Sequence, residues 1–108
     1  MKRPKIQLLH TKSCHSYKEA LVEIRRALKE LGLRAEVEVT MVNSQEKAQA
    51  YKFLGSPTIK IDGIDLEPEL EATGNFSLSA CRTYLHEGSL YHYPPKEMVL
   101  KALESVRI

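Results

Sequence analysis

The stretch from Lys5 to Gly32 constrains the fold more than any other. A nearly continuous apolar run (Ile6, Leu8, Leu9) stops at the polar turn Thr11-Lys12-Ser13, and a long amphipathic segment begins just after it. The run is the pattern of a strand buried on both faces, Lys5 to His10. From about Ser16, the residues Tyr17, Ala20, Leu21, Ile24, Ala27, Leu28 and Leu31 recur at spacings of three and four, while Lys18, Glu23, Arg25, Arg26, Lys29 and Glu30 take the other side. That is one apolar stripe on a helix from Ser16 to Leu31, with Gly32 as its stop. Ser16 and Glu19 match a capping box, and Ser13 is an alternative cap for an earlier start. Arg34 to Val42 then alternates, with Ala35, Val37, Val39 and Met41 against Glu36, Glu38 and Thr40. Period two predicts a strand with one wet face, nearer a sheet edge than the first. Two strands joined by a helix make a βαβ unit, parallel with a right-handed crossover.

The remaining elements follow from turn chemistry. Asn43 and Glu46 match a capping box, so a second helix is expected from about Ser44 to Leu54, ended by Gly55. Thr58 to Ile61 reads as a strand, with Pro57 at its first position, where a missing N–H is tolerated. Asp62-Gly63 is a turn signal. Residues 64–79 read as a surface insertion with little regular structure beyond a brief helical turn, and Glu67, Glu69 and Glu71 as its solvated charges. Ala80 to Leu85 is expected to return as a fourth strand antiparallel to the third. His86 to Tyr93 reads as a loop. Pro94-Pro95 opens a last helix with Val99, Leu103 and Val106 on its buried side. The order is β-α-β-α-β-β-α.

Composition narrows the function classes. The 108 residues suit one domain, 1–108, with one core. A net charge of +2 is too balanced to imply nucleic acid, and the Lys2, Arg3, Lys5 cluster has no aromatic-interleaved basic stripe after it. No apolar run approaches a membrane span, and Ile6 to Leu9 is too short and polar for a signal peptide. No membrane partner and a cytoplasmic location are therefore expected. In a reducing compartment two cysteines this far apart, Cys14 and Cys81, are free, catalytic or ligands rather than a structural disulfide.

Cys14 sits where the turn meets the first helix. A helix start carries unpaired N–H groups and about half a positive charge, which favours a thiolate. Lys12 and His15 add to that field, so Cys14 is expected to be the more reactive of the two thiols. His10, Cys14 and His15, with Cys81, His86 or His92, lack zinc spacing, so no dedicated metal site is expected.

The element order, a Cys at the start of the first helix and Ser56-Pro57-Thr58 before the third strand together resemble the thioredoxin fold, in its shorter glutaredoxin-type form. The resemblance covers the chain except residues 64–79. It implies a three-layer α/β/α sandwich with a four-stranded mixed sheet, and a cis Pro57 beside the active thiol. Phe53-Leu54-Gly55-Ser56-Pro57-Thr58, Leu66-Glu67-Pro68, Cys81-Arg82-Thr83-Tyr84 and Pro95-x-Glu97 are similar to small bacterial thioredoxin-like proteins, some associated with alkylmercury lyases. That likeness implies a link to thiols or soft metals.

One departure limits the chemistry. Redox members carry C-x-x-C, whereas Cys14-His15-Ser16-Tyr17 puts a tyrosine at the resolving position. A dithiol cycle inside the motif is impossible. What remains is single-thiol exchange, with Cys14 catalytic and an external thiol such as glutathione, or else Cys81, resolving the mixed disulfide. Glutathione would then be a co-substrate, with no bound cofactor, and the partner a disulfide- or thiol-containing protein or glutathione. Ser56, Pro57 and Thr58 would contact substrate as the resemblance implies, with Tyr17 facing the same side as Cys14. Cys81 reads rather as a buried strand cysteine, because an antiparallel fourth strand brings Leu85 toward Pro57 and leaves Cys81 on the order of 13 Å away. The alternative is a scaffold that binds a soft metal, an organomercurial or a protein without turnover.

Overall fold

The computed structural model describes residues 3–74, 76 and 81–106. Four strands form one mixed sheet: β1 (Lys5–His10), β2 (Glu36–Met41), β3 (Thr58–Ile61) and β4 (Ile64–Asp65), in the order β2-β1-β3-β4. β1 pairs parallel with β2 from Lys5↔Glu36 to His10↔Met41, and antiparallel with β3 from Ile6↔Ile61 to Leu9↔Thr58. The helices are α1 (Ser16–Leu31), α2 (Gln45–Ala50), α3 (Pro68–Glu71) and α4 (Lys96–Val106).

The pleat sorts the apolar residues of β1 to two faces. Ile6 and Leu8 join Ile59 and Ile61 under α1 and α4, where Ala20, Ile24, Ala27, Val99 and Leu103 are fully buried. Leu9 points the other way and packs with Val42, Ala48 and Phe53 beneath α2. Three layers result, and this is why the first apolar run is unbroken. β2 lies at the edge, and its Val39 and Met41 stay exposed. Gly32 ends α1 in the left-handed region (φ 64°), with Leu33 N–H donating to Leu28 O at 2.9 Å. This αβ architecture is compatible with a thioredoxin-like layout.

Four expectations need correction. The N-cap of α1 is His15, whose side chain makes no capping bond, so neither Ser13 nor the Ser16–Glu19 box caps it. Helix α2 stops at Ala50, because Lys52 enters the left-handed region (φ 53°), and its cap is the Ser44 hydroxyl, accepting from Lys47 N–H at 3.1 Å. The fourth strand is Ile64–Asp65, not Ala80 to Leu85. Asp62 (φ 51°) and Gly63 (φ 82°) both take positive φ, so the chain reverses at once and Ile64 pairs with Ile61. Fourth, His86 to Tyr93 is not a loop. β5 (Tyr84–His86) and β6 (Ser89–Tyr91) form a separate hairpin, turned by Glu87 and Gly88 at φ 50° and 80°. The segment expected to be an insertion thus contributes β4 and α3, while its residues 75 and 77–79, and Ala80, lie outside the described residues. No helix among the described residues is long and apolar enough to cross a membrane.

Candidate functional site: Cys14 and the Cys81 segment at Ser56

Cys14 lies in the connection between β1 and α1, half-buried. The connection is pinned at both ends. Val42 N–H donates to His10 O at 2.7 Å, Thr11 N–H to Ser56 Oγ at 3.0 Å, and Cys14 N–H to Thr11 O at 3.4 Å. The Cys14 thiol donates to Ser56 O across 3.6 Å. On its helix side the Tyr17 ring stacks on His10, centroids 3.8 Å apart and 10° from parallel. His10 Nδ1 lies 3.0 Å from Thr11 O; a carbonyl only accepts, so this nitrogen carries the proton. Tyr17 also packs against the main core.

The Ser56–Pro57 peptide bond is cis. Ser56 and Thr58 are buried, with the Thr58 hydroxyl donating to Gly55 O and accepting from Leu54 N–H at 3.3 Å. Beside them runs the segment from Cys81 to Tyr84. Ser56 and Cys81 form an isolated parallel bridge, and Arg82 N–H donates to Ser56 O at 3.2 Å. The two lone pairs of that carbonyl therefore face Arg82 N–H and the Cys14 thiol. Cys81 is neither buried nor remote, contrary to the expectation for a fourth-strand residue: it is exposed and directly alongside Ser56. Accessibility alone thus favours Cys81 over Cys14. Both thiols are free.

Arg82 holds this segment down. Its guanidinium, 3% exposed, makes two bonds to Asp65, one to Glu67 (3.2 Å) and a longer one to Thr58 Oγ1 (3.4 Å). It also lies over the Tyr84 ring, 4.3 Å from its centroid, and Tyr84 OH donates to Pro57 O at 2.6 Å. Burial works against the Arg82 charge, but the hydrogen bond and field of Asp65, helped by Glu67, prevail and raise its pKa. Burial pushes the Tyr84 phenol far up, so it stays a donor. Arg82 Nε is buried without a partner among the described residues. Glu67 and Glu71 are therefore not solvated loop charges: the first binds Arg82, and the second meets the buried Lys60 at 2.7 Å.

Over residues 10–103 the chain matches the family described as a domain of unknown function, DUF2703. The chain belongs to that family. No curated protein matches it. In this DUF2703 protein, the tertiary structure brings Cys14, Tyr17, Ser56, Pro57, Thr58 and Cys81 to one end of the sheet. It does not gather the histidines, and among the described residues no three His, Cys, Asp or Glu side chains are grouped to hold a metal ion. The residues that sequence reasoning missed are Arg82, Asp65 and Tyr84. The available signal was Asp62-Gly63 between two isoleucines, which marks a tight hairpin and so places Asp65 next to Lys60, inside the sheet.

Proposed function

We propose that this DUF2703 protein carries out thiol–disulfide exchange through Cys14. The supporting observation is the placement of the Cys14 sulfur, half-buried at the end of the sheet and 3.6 Å from Ser56 O beside a cis proline. Such a thiol is held in one place yet remains within reach of a substrate sulfur. Cys14 thiolate attacks one sulfur of a disulfide, a mixed disulfide forms, and the other sulfur leaves as a thiolate. Ser56, Pro57 and Thr58 form the wall against which the substrate sulfur is presented, with Tyr17 on the helix side. Because Ser56 O and Pro57 O are engaged within the chain, the substrate is held mainly by packing rather than by a long backbone ladder. Glutathione, as a mixed disulfide or as the reducing co-substrate, suits this chemistry, and so does a disulfide-bearing protein in the cytoplasm. The likeness to thioredoxin-like proteins associated with alkylmercury lyases keeps soft-metal thiol chemistry as the second reading, favoured by the missing C-x-x-C.

The deciding experiment is reduction of a peptide–glutathione mixed disulfide, with glutathione as reductant, by the intact protein and by Cys14→Ser. Turnover is expected from the first and none from the second. An intact protein without turnover, but with Cys14-dependent binding of phenylmercury, would replace exchange by the scaffold reading.

A further inference from the structure

We infer that Cys81 is the resolving thiol for Cys14, so that the two form a redox pair drawn from opposite ends of the chain; this rests on the exchange reading above. Ser56 touches both segments. Its carbonyl lies 3.6 Å from the Cys14 sulfur and 3.2 Å from Arg82 N. An amide nitrogen is about 2.4 Å from the preceding Cα, so the Cys14 sulfur lies at most about 9 Å from Cys81 Cα. Direction adds to distance. Residues paired in a parallel bridge present their side chains on the same face. Ser56 and Cys81 are such a pair, and the Ser56 hydroxyl reaches the Thr11 amide, at the start of the turn that carries Cys14. Cys81 therefore leans toward that turn.

The surroundings fit a pair that closes. Cys81 is exposed and free to turn about its side-chain bonds, and the Cys14 turn is irregular between β1 and α1. A disulfide needs the two Cα atoms within about 7 Å, so closing the pair requires the Cys14 turn to leave the position in which its bonds to Ser56 hold it and move toward Cys81. Meanwhile the backbone that carries Cys81 stays in place, because Arg82 is bonded to Asp65 and Glu67 and Tyr84 to Pro57 O. Arg82 is thus a positioning residue for the second thiol, which takes the part that Tyr17 cannot take in Cys14-His15-Ser16-Tyr17.

The steps balance. Cys14 thiolate attacks a disulfide R–S–S–R′, and R′–S⁻ leaves and takes a proton. Cys81, deprotonated to water, then attacks the Cys14 sulfur; the Cys14–Cys81 bond forms, the bond to R–S breaks, and R–S⁻ leaves. The two protein thiols lose two electrons and the substrate disulfide gains them. Two glutathione molecules reverse the change, becoming oxidised glutathione.

The test uses the full-length protein and its Cys81→Ser variant, an exposed and conservative change, each treated with oxidised glutathione, quenched with acid and mapped by mass spectrometry without reduction. In the intact protein the expected product is a Cys14–Cys81 cross-linked peptide, two hydrogens lighter than the sum of its parts, with glutathionylated Cys14 transient. In Cys81→Ser, glutathionylated Cys14 should accumulate and persist. Stable glutathionylated Cys14 in both proteins, with Cys81 free, would overturn the inference while leaving exchange at Cys14 standing. Failure of Cys14 to accept glutathione in either protein would overturn the exchange reading itself, and the inference with it.

Discussion

The two pieces of chain that meet at Ser56 are held by opposite kinds of force. The turn bearing Cys14 is carried by β1 and α1, whose Leu8, Leu9 and Ile24 are fully buried among other apolar side chains. The piece bearing Cys81 is anchored by one buried cation, Arg82, with two carboxylates and a tyrosine around it. Apolar burial is spread over many weak contacts, so it degrades gradually and depends little on direction. A buried charge has few, directed partners, and loss of one leaves the other unsolvated. The first mechanism makes the scaffold; the second selects which residue of a loop lies against Ser56.

The largest expected effect breaks the second mechanism. Arg82→Met strands the Asp65 carboxylate, whose side chain is 0% exposed, and should cost about 3–5 kcal/mol in urea unfolding. Adding Asp65→Leu should restore most of that loss, because both charges then disappear together. If the double variant is as unstable as the single one, the pair is not the anchor. The apolar side should behave differently. Ile24→Ala should cost about 2–4 kcal/mol from lost transfer energy and a residual cavity, with Cys81 chemistry unchanged. A changed alkylation rate at Cys81 in that variant would show that the two supports are coupled.

Tyr84→Phe is a smaller change, about 1 kcal/mol for the bond to Pro57 O, and it carries a pH signature. The folded phenol titrates far above the unfolded value of about 10, because burial disfavours the phenolate. The folded state then binds more protons than the unfolded state above pH 10. That stabilisation is complete below the unfolded pKa and is lost as pH rises past about 10. Tyr84→Phe should flatten the alkaline fall in stability, and an unchanged slope would count against the buried phenol. The smallest effect is at the surface. Lys96 meets Glu30 at 2.7 Å with both side chains partly open to solvent, so Lys96→Met should leave the thermal midpoint unchanged within error.

Much of this architecture was legible in the residues themselves. Ser16 to Leu31 and Gly32, the unbroken Lys5–His10 run and the alternating stretch Arg34 to Val42 are local periodicities; the first two match the elements found, and the third holds the shorter strand Glu36–Met41. They are legible because each leaves a local mark: a buried stripe on α1, an unbroken apolar run on β1, which is buried on both faces, and on the more exposed β2 the alternation itself. Cys14 could be singled out by its place where the turn meets the first helix, and Ser56-Pro57-Thr58 by its resemblance to the thioredoxin fold. Where local signals competed, the reading failed. Ala80 to Leu85 has the composition of a strand, yet Asp62-Gly63 had already provided the adjacent strand at Ile64–Asp65.

Only the tertiary structure decided the place of Cys81. Nothing near position 81 in sequence reports that Asp65 is buried, or that its charge will draw in Arg82 from 17 residues away. An ion pair of that kind has no period and no local propensity. It depends on two side chains being desolvated together, which happens only when the sheet, the hairpin at Asp62-Gly63 and the Tyr84 ring are all in place. The residues thus determined that a thiol would stand just before the first helix, and folding alone decided that Cys81 would lie alongside Ser56, the residue this thiol bonds.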